Sequence, residues 1–193
     1  MPLNVVILGP PGAGKGTQAK RVAADREIPH IATGDMLRAA MEAGTELGAR
    51  VKGIYDRGDL VPDDLMIDLI RERLEDESTE SGFVLDGFPR TPAQAEALDA
   101  LLDEIGRELT IVLEFQAPDE VVLERLDGRA KTEGRSDDGR DIVRRRLQVY
   151  AEQTAPLVTY YRARGNLVGI HADRTVDEVF AEVQKVLEQA VAT

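Results

Sequence analysis

The sequence predicts an α/β fold with a parallel sheet, and three observations carry that reading. Five short apolar runs, Val5 to Leu8 and then "IPHIAT", "GFVLDG", "TIVLEF" and "NLVGIH", read as strands. Helical periodicity fills the gaps between them, and strands that alternate with helices pair in parallel. The first run is followed by "GPPGAGKGT", residues 9 to 17, where no side chain is large enough to pack a core.

Val5 to Leu8 is apolar without interruption and closes on Gly9, the pattern of a strand buried on both faces. After the glycines, "KGTQAKRVAADRE" reads as a helix. Pro29 confines the second strand to a sheet edge, or itself to a strand start. "DDLMIDLIRERLED" repeats apolar residues at Leu65, Ile67, Leu69, Ile70 and Leu74, behind a Pro62 suited to the first helical position. Near the end, Thr175 and Glu178 form a capping box. Val179, Phe180, Val183, Val186, Leu187 and Val191 then mark one face of a last helix.

Two segments stand outside the alternation. Residues 33–61 have no strand of their own. Residues 128–140, "GRAKTEGRSDDGR", are polar and punctuated by glycine, the composition of a functional lid or a disordered loop. The expected organisation is one domain over 1–193. Its core comprises 1–32, 62–127 and 141–193.

Composition narrows the function. A chain of 193 residues, 42% hydrophobic and 31% charged, suits one soluble globular domain. No apolar run approaches the about 18 residues of a membrane span. The opening residues lack the basic start of a signal peptide, so a cytoplasmic protein is expected. Without cysteine there is no disulfide, thiolate zinc site or cysteine nucleophile. A net charge of −12 argues against a general nucleic-acid binder. Yet eight of the 24 basic residues fall in the 22 positions from Arg125 to Arg146. That patch suits either a small polyanion or a solvated helix face.

The glycine-rich stretch joins a buried strand to a helix. In that setting successive backbone N–H groups converge on one anion, the helix N-terminus adds positive charge, and Lys15 reaches the outer phosphates. The general pattern G-x-x-x-x-G-K-[ST] is met from Gly9 to Lys15, but Gly16 holds the hydroxyl position and Thr17 follows one place later. The hydroxyl that would ligate magnesium in the general pattern is therefore displaced by one residue, to Thr17. Nucleoside phosphate binding is the expectation. Asp86 ends an apolar strand, where it serves as a magnesium partner or a turn cap. Arg90, after Pro89, has the planar fork that suits phosphate. Thr33, Asp35 and Arg38 in "TGDMLR" open a helix, either as ordinary caps or as ligand contacts. Gln94 carries an amide that offers both a donor and an acceptor to a ligand, or it faces solvent. A guanine-binding switch needs N-K-x-D, and neither Asn4 nor Asn166 precedes a lysine.

The stretches "GPPGAGKGTQA", "TGDMLR", "GFVLDGFPRT" with Gln94, and "RRRLQVY" followed by "TAPLVTYY" together resemble the adenylate kinase family, over nearly the whole chain and in the family's order. "GKGT" agrees with that family's own version of the loop. The resemblance implies a P-loop fold, with a five-stranded parallel sheet flanked by helices, a helical AMP-binding insertion at 33–61 and a short lid at 128–140. It implies reversible phosphoryl transfer from MgATP to AMP, giving two ADP. Lys15, Arg90, Arg125, Arg135 and Arg146 would be catalytic. ATP would meet Gly12, Ala13, Gly14, Lys15, Gly16, Thr17, Arg129 and Arg174, the last through its backbone. AMP would meet Thr33, Arg38, Asp59, Leu60, Val61, Gly87, Phe88, Pro89, Arg90, Gln94, Arg135 and Arg146. Mg2+ would accompany ATP at Asp86, through water, and no zinc is implied. The partners would be ATP, AMP and ADP, bound by a monomer with no nucleic acid or membrane. Arg140, Arg144 and Arg145 lack this support and read as solvated, or as ion-paired with Asp137, Asp138 and Asp141.

Overall fold

The computed structural model describes residues 2–133, 137 and 139–192. Strands β1 (Leu3–Leu8), β2 (His30–Ala32), β3 (Gly82–Asp86), β4 (Ile111–Gln116) and β5 (Leu167–His171) form one sheet in the order β2-β3-β1-β4-β5. All its pairings are parallel. Among the described residues the helices are α1 (Lys15–Arg26), α2 (Thr33–Glu42), α3 (Glu46–Tyr55), α4 (Asp63–Leu74), α5 (Pro92–Glu104), α6 (Asp119–Glu133), α7 (Arg140–Val149), α8 (Pro156–Ala163) and α9 (Val176–Val191). β2 lies at the edge and Pro29 directly precedes it, so both placements expected of Pro29 are met.

β1 is the middle strand and every one of its residues is buried. Because successive side chains point to opposite faces, it feeds two cores. Val5 and Ile7 pack with Val84, Ile111 and Leu113 against Ala19 and Val22 of α1 and Val179, Val183 and Leu187 of α9. Val6 joins Phe83, Leu85 and Val112 against α4, α5 and α8, where Tyr161 and Leu157 are fully buried. The segment 33–61 is a helical pair, α2 and α3, pinned to this second core by Leu37 and Val51. Thr45 caps α3 by accepting the Gly48 N–H at 3.1 Å.

Three local details differ from the sequence reading. Pro62 is the cap of α4, not its first residue, because its ψ of 140° is extended. Val191 is 48% exposed, since α9 ends beyond the apolar surface that buries Leu187. Residues 128–133 continue α6 instead of starting a loop. That stretch carries the helix formers Arg129, Ala130, Lys131 and Glu133, and Lys131 pairs with Asp127 one turn back at 2.6 Å. An exposed helix needs no apolar stripe, so periodicity could not reveal it.

α7 does not run smoothly into α8. Tyr150–Thr154 form a π turn, in which the Ala155 N–H donates to the Tyr150 carbonyl at 2.8 Å. Thr154 at its end is buried.

Candidate active site

The carboxyl ends of the central strands open into a cleft of about 560 Å³. Its wall combines the loop 9–14, Asp86 to Arg90 after β3, Arg38 and Tyr55 of the α2–α3 segment, Arg125 and Arg129 of α6, Arg146 of α7, and Arg174. Elements far apart in the chain thus bring one class of side chain to one place.

Lys15 is the first residue of α1 and its ammonium donates to the Gly9 and Pro10 carbonyls, each at 2.8 Å. Burial pushes its pKa down from 10.5 to about 8, and Arg90, Arg146 and Arg129 push the same way against the attraction of Asp86. Asp86 ends β3. Burial alone would raise its carboxyl, but His30, Lys15 and Arg90 outweigh burial and hold it below the usual carboxylate range. His30 Nε2 lies 3.6 Å from Asp86 Oδ2, too far for a hydrogen bond, and is buried without a hydrogen-bond partner.

The glycine that replaces a hydroxyl in the loop has a steric reason. A Cβ on Gly16 would sit 3.3 Å from Asp86 Oδ2, so a side chain there would crowd the carboxylate. Thr17 is exposed and lines the cleft. Among the described residues no group of three or more His, Cys, Asp or Glu side chains could cage a metal. Mg2+ makes no such demand: it takes one or two carboxylates and completes its shell with phosphate oxygens and water. An ionised Asp86 beside a Gly16 that puts no side chain against it fits that habit.

Arg90 is fixed from several sides. Its Nε donates to the Gly87 carbonyl at 2.7 Å, and its own carbonyl accepts from Thr154 Oγ1 at 2.9 Å. Gly87 has φ +85°, and a Cβ there would lie 2.6 Å from Thr33 Oγ1 and 3.0 Å from Arg90 Nη2. Only glycine allows that approach. Thr33 is buried and donates to the same Gly87 carbonyl at 2.9 Å. Burial, then Arg146, lowers the Arg90 pKa.

Around the other side, Arg38 bonds to the Tyr55 hydroxyl and Asp35. Tyr55 Oη lies 3.4 Å from Asp137 Oδ2, which also receives Arg146 at 2.9 Å. Burial and Asp137 raise the Tyr55 pKa, with Arg38 opposing. The ion pairs expected around Asp137 are therefore placed differently. Asp137 pairs with Arg146, while Arg145 reaches across to Asp59 at 2.8 Å and shares it with Arg57 at 3.1 Å.

Of the residues expected at the site, Gly12 to Thr17, Arg38, Asp59, Leu60, Asp86, Gly87, Pro89, Arg90, Arg125, Arg129, Arg146 and Arg174 all line the cleft. Thr33, Val61, Phe88 and Gln94 are buried behind its wall. Gln94, only 2% exposed, is not solvent-facing. Arg135 lies outside the described residues. Arg125 has turned to backbone: its guanidinium donates to the Ala172 carbonyl at 2.7 Å and the Arg174 carbonyl at 3.3 Å. The Arg174 side chain folds onto the His171 carbonyl and Glu182, and its own carbonyl accepts from Arg125. Tyr55, Asp137, His30 and Thr154 were not foreseen. His30 had a signal, being the first residue of β2 directly after Pro29, in a strand whose register sets Ala32 beside Asp86.

Residues 7–166 match the family model described as "Adenylate kinase". The chain belongs to the adenylate kinase family. A relative named "Adenylate kinase" from Xanthomonas oryzae pv. oryzae (strain MAFF 311018) is 48% identical over 185 residues, covering 96% of this chain and 99% of the relative. One of the same name from Synechococcus sp. (strain JA-2-3B'a(2-13)) is 49% identical over 186 residues, 96% of each chain. A third, from Stenotrophomonas maltophilia (strain K279a), is 48% identical over 181 residues, 94% of this chain and 97% of the relative. As a member of this family the chain is a nucleoside monophosphate kinase, a transferase of phosphoryl groups between ATP and AMP.

Proposed function

We propose a division of labour among these residues for ATP + AMP ⇌ 2 ADP. The backbone of Gly12 to Thr17 and the Lys15 ammonium hold the ATP phosphates. Arg38 and Arg90 hold the AMP phosphate, and Thr33 and Gly87 position Arg90. Arg129 and Arg146, joined by Arg135 and by Arg125 once it leaves its carbonyls, neutralise the charge that spreads over the transferring group. Gln94 reads the adenine of AMP, and Asp59 to Val61 with Phe88 and Pro89 border it. The Arg174 backbone borders the ATP base. Asp86 would hold the Mg2+ that accompanies ATP, which would supply further charge neutralisation.

In the transfer, an AMP phosphate oxygen forms a bond to the γ-phosphorus as the bond from that phosphorus to the ADP leaving oxygen breaks. The acceptor is already an anion, so no general base is needed. Water must be kept out, and closure of 33–61 and 128–140 over the cleft does that. A monomer is the expected state for a site whose described lining already joins the glycine loop, Asp86, Arg90, Arg129 and Arg146 of one chain. Net charge −12 supports free nucleotides over nucleic acid, and the cysteine-free chain suits the cytoplasm.

The observation that carries this reading is that Lys15 of α1, Arg90 after β3, Arg129 of α6 and Arg146 of α7 line one cleft with the glycine loop. The test gives the purified protein ADP and magnesium alone, followed by phosphorus NMR. ATP and AMP appearing in equal amounts is the expected result. No reaction would remove AMP as acceptor, and ATP with UMP or CMP would be tried next.

A further inference from the structure

Gln94 is the group proposed to read the acceptor base, yet an amide by itself reads nothing. Rotated by half a turn, it exchanges its donor and its acceptor. Adenine offers an acceptor at N1 and a donor at N6, whereas a 6-oxopurine offers a donor at N1 and an acceptor at O6. A freely turning glutamine would suit both. Discrimination therefore depends on what holds the amide one way round.

Two contacts do so here. The Arg90 backbone N–H lies 2.7 Å from Gln94 Oε1, and a backbone N–H can only donate. On the other side, Gln94 Nε2 lies 2.8 Å from Asp63 Oδ1, and a carboxylate accepts. Chemistry at both ends agrees on one orientation. Asp63 is itself steadied by the Thr91 hydroxyl, which lies 3.2 Å from each carboxylate oxygen and also caps α5 by accepting the Gln94 N–H. After these bonds the amide retains one N–H and one lone pair, the set that adenine requires. Asp63 opens α4, immediately after the AMP-binding segment, and the mechanism otherwise gives it nothing to do.

The geometry points to Asp63 as a specificity-positioning residue, which locks the Gln94 amide so that the site accepts a 6-aminopurine monophosphate and rejects a 6-oxopurine one. This rests on the proposed base-reading role of Gln94. A flipped amide would set its carbonyl oxygen against the Asp63 carboxylate and its NH2 against the Arg90 N–H. Removing Asp63 leaves only the second of these obstacles.

The experiment measures kcat/KM with ATP and either AMP or inosine monophosphate, which carries N1–H and O6 and no added group. Asp63→Ala should lower the AMP/IMP ratio by about ten- to a hundredfold, the value of one charge-assisted hydrogen bond. Asp63→Asn, nearly isosteric, can donate or accept and should lower it by about three- to tenfold. That variant keeps the test alive should the alanine protein fail to fold. A structural role alone would weaken AMP and IMP alike, and an unchanged ratio in a folded variant overturns the assignment. Gln94→Met separates the two levels of the argument. If it collapses the ratio while Asp63→Ala does not, the base reader stands and the lock falls; if neither changes the ratio, both fall.

Discussion

Lys15→Met should make the nucleotide-free protein more stable while removing its turnover. The folded pKa of about 8 lies below the unfolded value of 10.5, so folding disfavours the charged amine. At about 1.4 kcal/mol for each tenfold, carrying that charge at pH 7 costs the folded protein about 3 kcal/mol. Methionine removes the cost but also strips the Gly9 and Pro10 carbonyls of a donor, so a net gain of about 1–3 kcal/mol is expected. The sign with pH is definite. Below pH 8 the amine is protonated in both states and the penalty is complete; as pH rises from 8 to 10.5 the folded protein has shed the proton and the unfolded chain has not, so wild type gains stability. The advantage of the variant should therefore shrink across that window. Urea unfolding of both proteins at pH 7 and pH 10 measures it, with ADP turnover assayed in parallel. Turnover should fall at least about a hundredfold. A variant less stable than wild type at pH 7, or an advantage equal at both pH values, would refute the reasoning.

Gly87→Ala should cost about 1–3 kcal/mol through strain at positive φ and displace Thr33 and Arg90; thermal unfolding and the KM for AMP check it, and AMP should suffer more than ATP. Arg90→Ala should raise the KM for AMP by about tenfold or more with ATP binding little changed, and equal losses for both nucleotides in equilibrium titrations would contradict its assigned side of the cleft. Tyr161→Phe should be neutral or stabilising by about 1 kcal/mol, because the Tyr161 hydroxyl is buried without a hydrogen-bond partner and burial pushes its pKa up. Chemical denaturation reads that directly; a loss above about 1 kcal/mol would mean that the hydroxyl does have a partner.

What the sequence made legible was local chemistry. Lys15, Asp86 and Arg90 could be placed because a buried strand, a glycine turn and a helix start lie within a few residues of each. The five strands showed through short apolar runs, unbroken only in the first of them, and Thr175 and Glu178 do form the capping box. What stayed hidden was pairing across the fold. Gln94 and Asp63 are 31 residues apart, and Arg145 and Asp59 are 86 apart, so no spacing rule joins them. The first half of the supposed loop at 128–140 stayed hidden for another reason: a solvated helix leaves no apolar period to read.

The π turn at Tyr150–Thr154 carries a consequence for how the enzyme tolerates changes in chain length. One residue of α-helix advances the azimuth by about 100°. The extra residue in this turn therefore sets the phase between two working faces, that of α7 with Arg146 toward the cleft and that of α8 with Leu157 and Tyr161 in the core. Deleting Glu152, an exposed residue that a surface survey would rate as dispensable, would let the turn close into plain α-helix. The core would hold α8 in place, and the misphasing would fall on α7, swinging Arg146 away from the cleft and Thr154 off the Arg90 carbonyl. Such a chain should melt close to wild type and yet turn over poorly, a loss of timing between two helices and not of any chemical group.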